Sequence, residues 1–285
     1  MFAAKVTGLI KRRYSCRSYR DEPLAESDRY EIKKFLSGKN TGPFGTAPGF
    51  TLLAAEPGDS GSMKELGTYG FIRNPAAFVA GYISEAGMEL EDYGYCMEKI
   101  ILKLTDMGLG SCWIGGSFRK SGFAKRAGIK SGEIIPAVAA TGYIAERETL
   151  TDRLVKAGAG SKKRKPWHEL FFDGRLEPLH LPQGAPYAEV LEMVRLAPSA
   201  SNKQPWRIIN DSTGIFHLFM ERTPRYTGTN RLLGLADLQR IDMGIAMCHF
   251  ELTASEKKLH GKWTQKNKKI KTPGGWEYIS TWNEK

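Results

Sequence analysis

Four segments of the chain carry residue types and spacings suited to chemistry. Near the start, Arg12-Arg13-Tyr14-Ser15-Cys16-Arg17 sets two guanidiniums and a hydroxyl at Arg13, Ser15 and Arg17, alternate positions that an extended chain points to one side. Arginine offers a planar fork to phosphate oxygens and serine a short donor, so an anion clamp is one reading and a solvated basic turn the other. A second basic cluster, Lys162-Lys163-Arg164-Lys165-Pro166, follows the flexible Gly158-Ala159-Gly160-Ser161. The loop Leu196-Ala197-Pro198-Ser199-Ala200-Ser201-Asn202-Lys203-Gln204-Pro205-Trp206 packs short polar donors beside a planar aromatic, or else is a proline-rich turn with local caps. Finally, Gly110-Ser111-Cys112-Trp113-Ile114-Gly115-Gly116 ends a long helix in a glycine pair that lets a ligand approach main-chain N–H groups.

The elements that must position these segments recur. Setting Asp92–Trp113 against Asp242–Trp263, at one offset of 150 residues and without a gap, matches six of 22 positions: Asp92/Asp242, Gly94/Gly244, Met97/Met247, Leu102/Leu252, Leu109/Leu259 and Trp113/Trp263. About one or two identities would arise by chance in such a window. Glu22-Pro23-Leu24 returns as Glu177-Pro178-Leu179 at an offset of 155. The expectation is two related halves, 1–160 and 161–285, packed as one unit; the alternative is two amphipathic helices alike in composition. Each half reads as mixed α and β. Met97, Ile100, Ile101 and Leu104 form the apolar stripe of a helix over 93–107 with Gly108 as its stop, and Ile241, Ile245, Cys248 and Leu252 that of a helix over 238–259. A shorter helix is expected over 186–196. Strands are expected over 50–54, 76–83, 135–144, 206–209, 215–220 and 276–282, and a loop over 37–50.

With 285 residues, 41% hydrophobic and 26% charged, the chain can bury a core, and disorder, collagen and coiled coil are poor readings. No stretch reaches the run of about 18 apolar residues that a membrane span needs. Lys11-Arg12-Arg13 follows the apolar start rather than preceding it, the wrong order for a secretory signal. The cysteines Cys16, Cys96, Cys112 and Cys248 form no C-x-x-C pair, and His168, His180, His217, His249 and His260 show no H-x-x-x-H spacing, so neither a disulfide framework nor a metal site is expected and the histidines read as ordinary surface or core residues. A reducing cytoplasm fits best. Forty-two Lys and Arg against 31 Asp and Glu give a net charge of +11, which asks for an anionic partner without choosing among nucleic acid, acidic membrane and phosphorylated cofactor.

Taken together, the four segments resemble the FMN-dependent nitroreductase family. Its R-x-S-x-R/K appears as Arg13 to Arg17, its A-P-S-x-x-N-x-Q-P-W loop as Ala197 to Trp206, its G-L-G-x-x-W-I-G-G as Gly108 to Gly116, and its K-x-R-x-P as Lys162 to Pro166. The order departs from the family's: the A-P-S-x-x-N loop comes last, the first half has the Gly/Pro-rich segment 37–50 in its place, and the second half lacks R-x-S-x-R. The chain therefore looks like the single-chain, internally duplicated branch of the TM nitroreductase type.

That resemblance implies an α+β sandwich, a mostly antiparallel sheet flanked by helices, with one FMN site built inside one chain as a pseudo-dimer. It implies that Arg13, Lys162 and Arg164 neutralise the FMN phosphate with help from Tyr14 and Ser15. Arg17 would sit at the pyrimidine edge of the ring, where a cation favours the reduced state. Ile114, Gly115 and Gly116 would bring main-chain N–H to flavin N5, and Pro198, Ser199, Ala200 and Asn202 would pack against the ring from the other half. NADH or NADPH would reduce the flavin and an electron-poor small molecule, a nitroaromatic or quinone, would leave with the electrons. A flavin carrier without turnover is the second reading. A nucleic-acid binder, suggested by the basic run Lys266-Asn267-Lys268-Lys269-Ile270-Lys271, ranks last.

Overall fold

The computed structural model describes residues 2–54, 66, 72–116, 118–146, 163–182, 184–212, 214–224, 226, 235–265 and 270–285. In chain order the elements are α1 (Val6–Arg12), α2 (Glu26–Leu36), β1 (Gly49–Ala54), β2 (Ala77–Tyr82), α3 (Glu89–Asp106), β3 (Gly110–Ile114), α4 (Lys120–Ala127), β4 (Val138–Gly142), β5 (Phe171–Asp173), α5 (Pro186–Arg195), β6 (Trp206–Ser212), β7 (Ile215–Glu221), α6 (Leu238–Glu256), β8 (Gly261–Thr264) and β9 (Trp276–Glu284). Short 3-10 turns cover Trp167–Glu169 and Ala200–Asn202.

The strands form two sheets where the sequence suggests one. The first has the order β1-β2-β4-β3, the second β5-β6-β7-β9-β8. Matching β1 with β6, β2 with β7, β3 with β8 and β4 with β9 makes the orders coincide, and β5 is an added edge strand that pairs parallel to β6, where the other named strands of the described residues pair antiparallel. The architecture is thus α+β in two related halves.

Helices α3 and α6 lie between the sheets and pack on each other. Their apolar stripes, Met97, Ile100, Ile101 and Leu104 against Ile241, Ile245, Met247 and Cys248, belong to one continuous core drawn from both halves. Each fully buried Ile or Leu there contributes about 1.5–3 kcal/mol, so neither half is expected to hold its fold with this face in water. Glu89, Glu91 and Asp92 occupy the first turn of α3, complementing the partial positive charge of its N-terminus. The two helices stop alike: Leu109 N–H bonds Leu104 C=O and Leu259 N–H bonds Ala254 C=O, the same pair 150 residues on. The left-handed residue that releases the chain is Gly108 (φ 78°) in the first half and Lys258 (φ 63°) in the second.

Two expectations need correction. Gly110–Ile114 is a strand, not the end of the long helix, because the ladder from Gly110↔Gly142 to Ile114↔Val138 captures it as soon as Gly108 has turned the chain. The strand expected over 135–144 shortens to Val138–Gly142, since Pro136 has no N–H to give to a ladder. The short helices α1, α2 and α4 and the strands β5 and β8 carry too few periodic residues to be read from sequence, and tertiary packing decides them. α1 buries Val6, Leu9 and Ile10 against Leu102 and Met193. The segment around it is tied to both long helices, with Ala3 and Ala4 N–H on Asp106 and Thr7 on Glu256. That docking fixes where the chain emerges at Arg13.

Candidate active site

Beyond α1 the chain runs extended along the first sheet. Ser15 forms a parallel bridge with Ser111, Cys16 N–H bonds Ser111 C=O at 2.9 Å, and the Tyr19 hydroxyl bonds Cys16 C=O at 2.7 Å. Arg13, Ser15 and Arg17 all act on one neighbour, as their alternate spacing requires. Burial pushes the Cys112 thiol up, and Arg17, Arg13 and a hydrogen bond with Ser15 draw it back. The Arg13 side chain is only 5% exposed; its Nε lies 3.8 Å from Glu98 Oε1 and makes no hydrogen bond. Tyr14, between them, is exposed.

Arg164 joins this cluster from 151 residues away. Its guanidinium donates to Leu196 C=O at 3.1 Å and to Asn202 Oδ1 at 3.2 Å. Burial first, then repulsion from Arg13 and Arg195, pushes its pKa down to about 10. Arg195 is itself held in a two-pronged pair with Glu192, at 2.7 and 2.6 Å. Lys162 and the glycines before it lie outside the described residues, as do residues 266–269 of the basic run.

The loop after α5 is tightly specified. Asp242 of α6 accepts Ala200 N–H at 2.9 Å, Ser199 Oγ accepts Gln204 N–H at 2.9 Å, and Asn202 donates to Lys163 C=O at 2.7 Å. Ser201, Asn202 and Gln204 have φ of 50°, 53° and 50°, left-handed backbone that costs about 1–2 kcal/mol for each such residue. Such strain persists only where surrounding bonds over-determine it, and it concentrates at functional loops. Pro198, Ser199 and Ala200 are half-buried beside it.

The first half supplies the equivalent contact from Asp92, which accepts Phe44 N–H at 2.9 Å and Thr46 N–H at 2.8 Å. Segment 37–48 is therefore the first half's version of the 197–206 loop, anchored the same way, with its Ser37 and Asn40 side chains donating to Lys34 and Leu36 C=O of α2.

Ile114 is buried at the end of β3, and Gly115 and Gly116 follow it. A Cβ on Gly115 would come within 2.8 Å of Leu238, and one on Gly116 within 3.0 Å of Leu235. The glycine pair, read from sequence as an opening for a ligand, also lets the second half close against the first.

Sequence reasoning missed a buried polar network. Glu98, fully buried, accepts Trp113 Nε1–H at 2.7 Å and faces His249 Nε2 at 2.9 Å, while His249 Nδ1 lies 2.9 Å from Met193 C=O. A carbonyl only accepts, so Nδ1 carries a proton. His249 is a core histidine as expected, but one that joins the halves next to Arg13. Spacing gave no sign of it; the available signal was that Glu98 and His249 align with Cys248 and Lys99, unlike residues in otherwise matching helices.

The family model described as "Putative TM nitroreductase" matches residues 5–254. The chain belongs to this nitroreductase family. Over 99% of its length this family member overlays on 94% of the crystal structure of a putative nitroreductase from Thermotoga maritima, with 21% identity and a TM-score of 0.57, so the two share a fold. An FMN-dependent nitroreductase from Clostridium difficile matches 50% of the chain over 89% of its own, at 20% identity and a TM-score of 0.40. A nitroreductase with bound FMN from Bacteroides fragilis matches 52% over 92% of its own, at 17% and 0.42. No protein of curated function matches the sequence. Among the described residues of this nitroreductase no helix is long and apolar enough to cross a membrane, and no group of three or more His, Cys, Asp or Glu could hold a metal ion.

Proposed function

We propose that this nitroreductase-family chain is an FMN-dependent oxidoreductase of the cytoplasm, with a single FMN held where its two halves, 1–160 and 161–285, meet. The observation that carries the reading is the Arg13–Arg164 cluster. One guanidinium from each half comes to the same place, and burial together with the repulsion of Arg13 and Arg195 draws the Arg164 pKa down. A phosphate dianion turns that repulsion into attraction, and Arg13 Nε, buried without a hydrogen bond, is a donor ready for it. The residues present therefore fit a phosphorylated cofactor.

Bound FMN supplies the capacity to accept and return a hydride. The chain's own residues bind and orient. Arg13, Lys162 and Arg164 neutralise the phosphate, with Tyr14 and Ser15 beside them. Arg17 places a cation at the ring's pyrimidine edge, and Ile114, Gly115 and Gly116 offer main-chain N–H to N5. Pro198, Ser199, Ala200 and Asn202 wall the ring from the second half, their strained loop fixed before ligand arrives, which lowers the ordering cost of binding. NADH or NADPH is the reductant and an electron-poor small molecule, a nitroaromatic or quinone, the acceptor.

The test is the absorption spectrum and flavin content of the purified protein, followed by NAD(P)H oxidation with a quinone. One FMN per chain with turnover is expected. Two FMN per chain, or a colourless protein that cannot be reconstituted, would overturn the reading; bound flavin without turnover would make the chain a flavin carrier.

A further inference from the structure

A cavity of about 590 Å³ opens in the second half beside the strained loop, lined by Lys165, Asn202, Lys203, Glu221, Arg222 and Thr223. Its charges sort into two groups. Glu221 is paired with Arg207, and Arg222 is held between Asp237 and Glu277. Both of these lining charges are therefore tied up in ion pairs. Lys165 and Lys203 have no ion pair with any described carboxylate, and beside Glu221 and Arg222 they leave the cavity's lining positive. The Lys165 ammonium is half-buried, and burial, reinforced by Arg207 and Lys203, draws its pKa below the usual lysine value against the opposing pull of Glu221 and Glu169. A partly desolvated cation with no carboxylate in direct contact gains from an anion that reaches it.

Asn202 ties this cavity to the arginine cluster. It lines the cavity, while its Oδ1 accepts from Arg164 at 3.2 Å and its amide donates to Lys163 C=O. If Arg13 and Arg164 are engaged by the flavin's own phosphate, a dihydronicotinamide dinucleotide needs a second cationic place for its diphosphate, within reach of the same ring. We propose that the cavity between Lys165 and Lys203 binds the diphosphate-bearing part of NADH or NADPH. This rests on the FMN reading above and adds the reductant's own subsite to it.

The test compares KM for NADH and NADPH with KM for N-benzyl-1,4-dihydronicotinamide, a hydride donor without phosphate, in the flavin-loaded wild type and in Lys165→Gln and Lys203→Gln. Each variant is expected to raise KM for the dinucleotides roughly tenfold, the scale of one charge-assisted hydrogen bond. Flavin content and the kinetics of the phosphate-free donor should stay unchanged. Inorganic pyrophosphate should compete with NADPH in the wild type and more weakly in the variants. Because Lys203 is exposed, its variant remains informative even if Lys165→Gln folds poorly. Unchanged dinucleotide KM, equal losses with both donors, or release of flavin would overturn the proposal, the last by placing the lysines in the flavin's own site. A wild type that binds no flavin sinks the FMN reading itself and this inference with it, a result distinguishable from the others before any variant is made.

Discussion

Gly94 and Gly244 occupy equivalent positions on α3 and α6, and each faces the backbone of the other's helix. A Cβ on Gly94 would overlap the Ile241 carbonyl, and a Cβ on Gly244 would overlap the Glu91 carbonyl. Ile241 is the 150-residue counterpart of Glu91, so the contact is reciprocal, as at the interface of a two-fold dimer. The two helices approach closely because neither carries a side chain at the crossing.

Gly94→Ala and Gly244→Ala should therefore cost similar amounts, about 3 kcal/mol each, since in both cases backbone rather than a side-chain tip must move. Urea unfolding monitored by circular dichroism checks this. A large cost at one position with none at the other would break the reciprocity.

Arg13→Ala combined with Arg164→Ala should release the flavin while the chain stays folded. Both side chains belong to the cationic cluster, and removing both also removes their mutual repulsion. Flavin fluorescence after gel filtration, together with far-ultraviolet circular dichroism, reads the two effects separately. Stoichiometric FMN in the double variant would count against the assignment.

Asp92 and Asp242 make the same kind of loop contact in the two halves, and this gives an internal control. Asp242→Ala and Asp92→Ala should each lower stability by about 2 kcal/mol through lost main-chain hydrogen bonds. Only Asp242→Ala should also weaken FMN binding, by about tenfold or more, because only its loop carries Ser199 and Asn202. Titration of the apoprotein with FMN measures the difference.

Glu91 gives a pH dependence. Burial raises its carboxyl pKa to about 7, outweighing the guanidinium of Arg240 at 2.7 Å. The folded state then binds this proton more tightly than the unfolded chain does. Its contribution is complete below the ordinary carboxyl value and is lost as pH rises through about 7, a fall of about 3 kcal/mol. Glu91→Gln should flatten the unfolding midpoint over that window.

The sequence by itself determined the local pieces: the apolar stripes of α3 and α6, the alternate placement of Arg13, Ser15 and Arg17, and the 150-residue repeat. Each depends on spacings of two to four residues, or on direct likeness, and both survive in a linear string. Only the tertiary structure decided which pieces meet. That Arg13 lies by Arg164, that Glu98 and His249 share a buried contact, and that Leu235 and Leu238 close on Gly115 and Gly116 all follow from docking α3 against α6. Partners about 120 to 150 residues apart leave no periodic trace, because their proximity is set by burial of the whole core rather than by the chain between them.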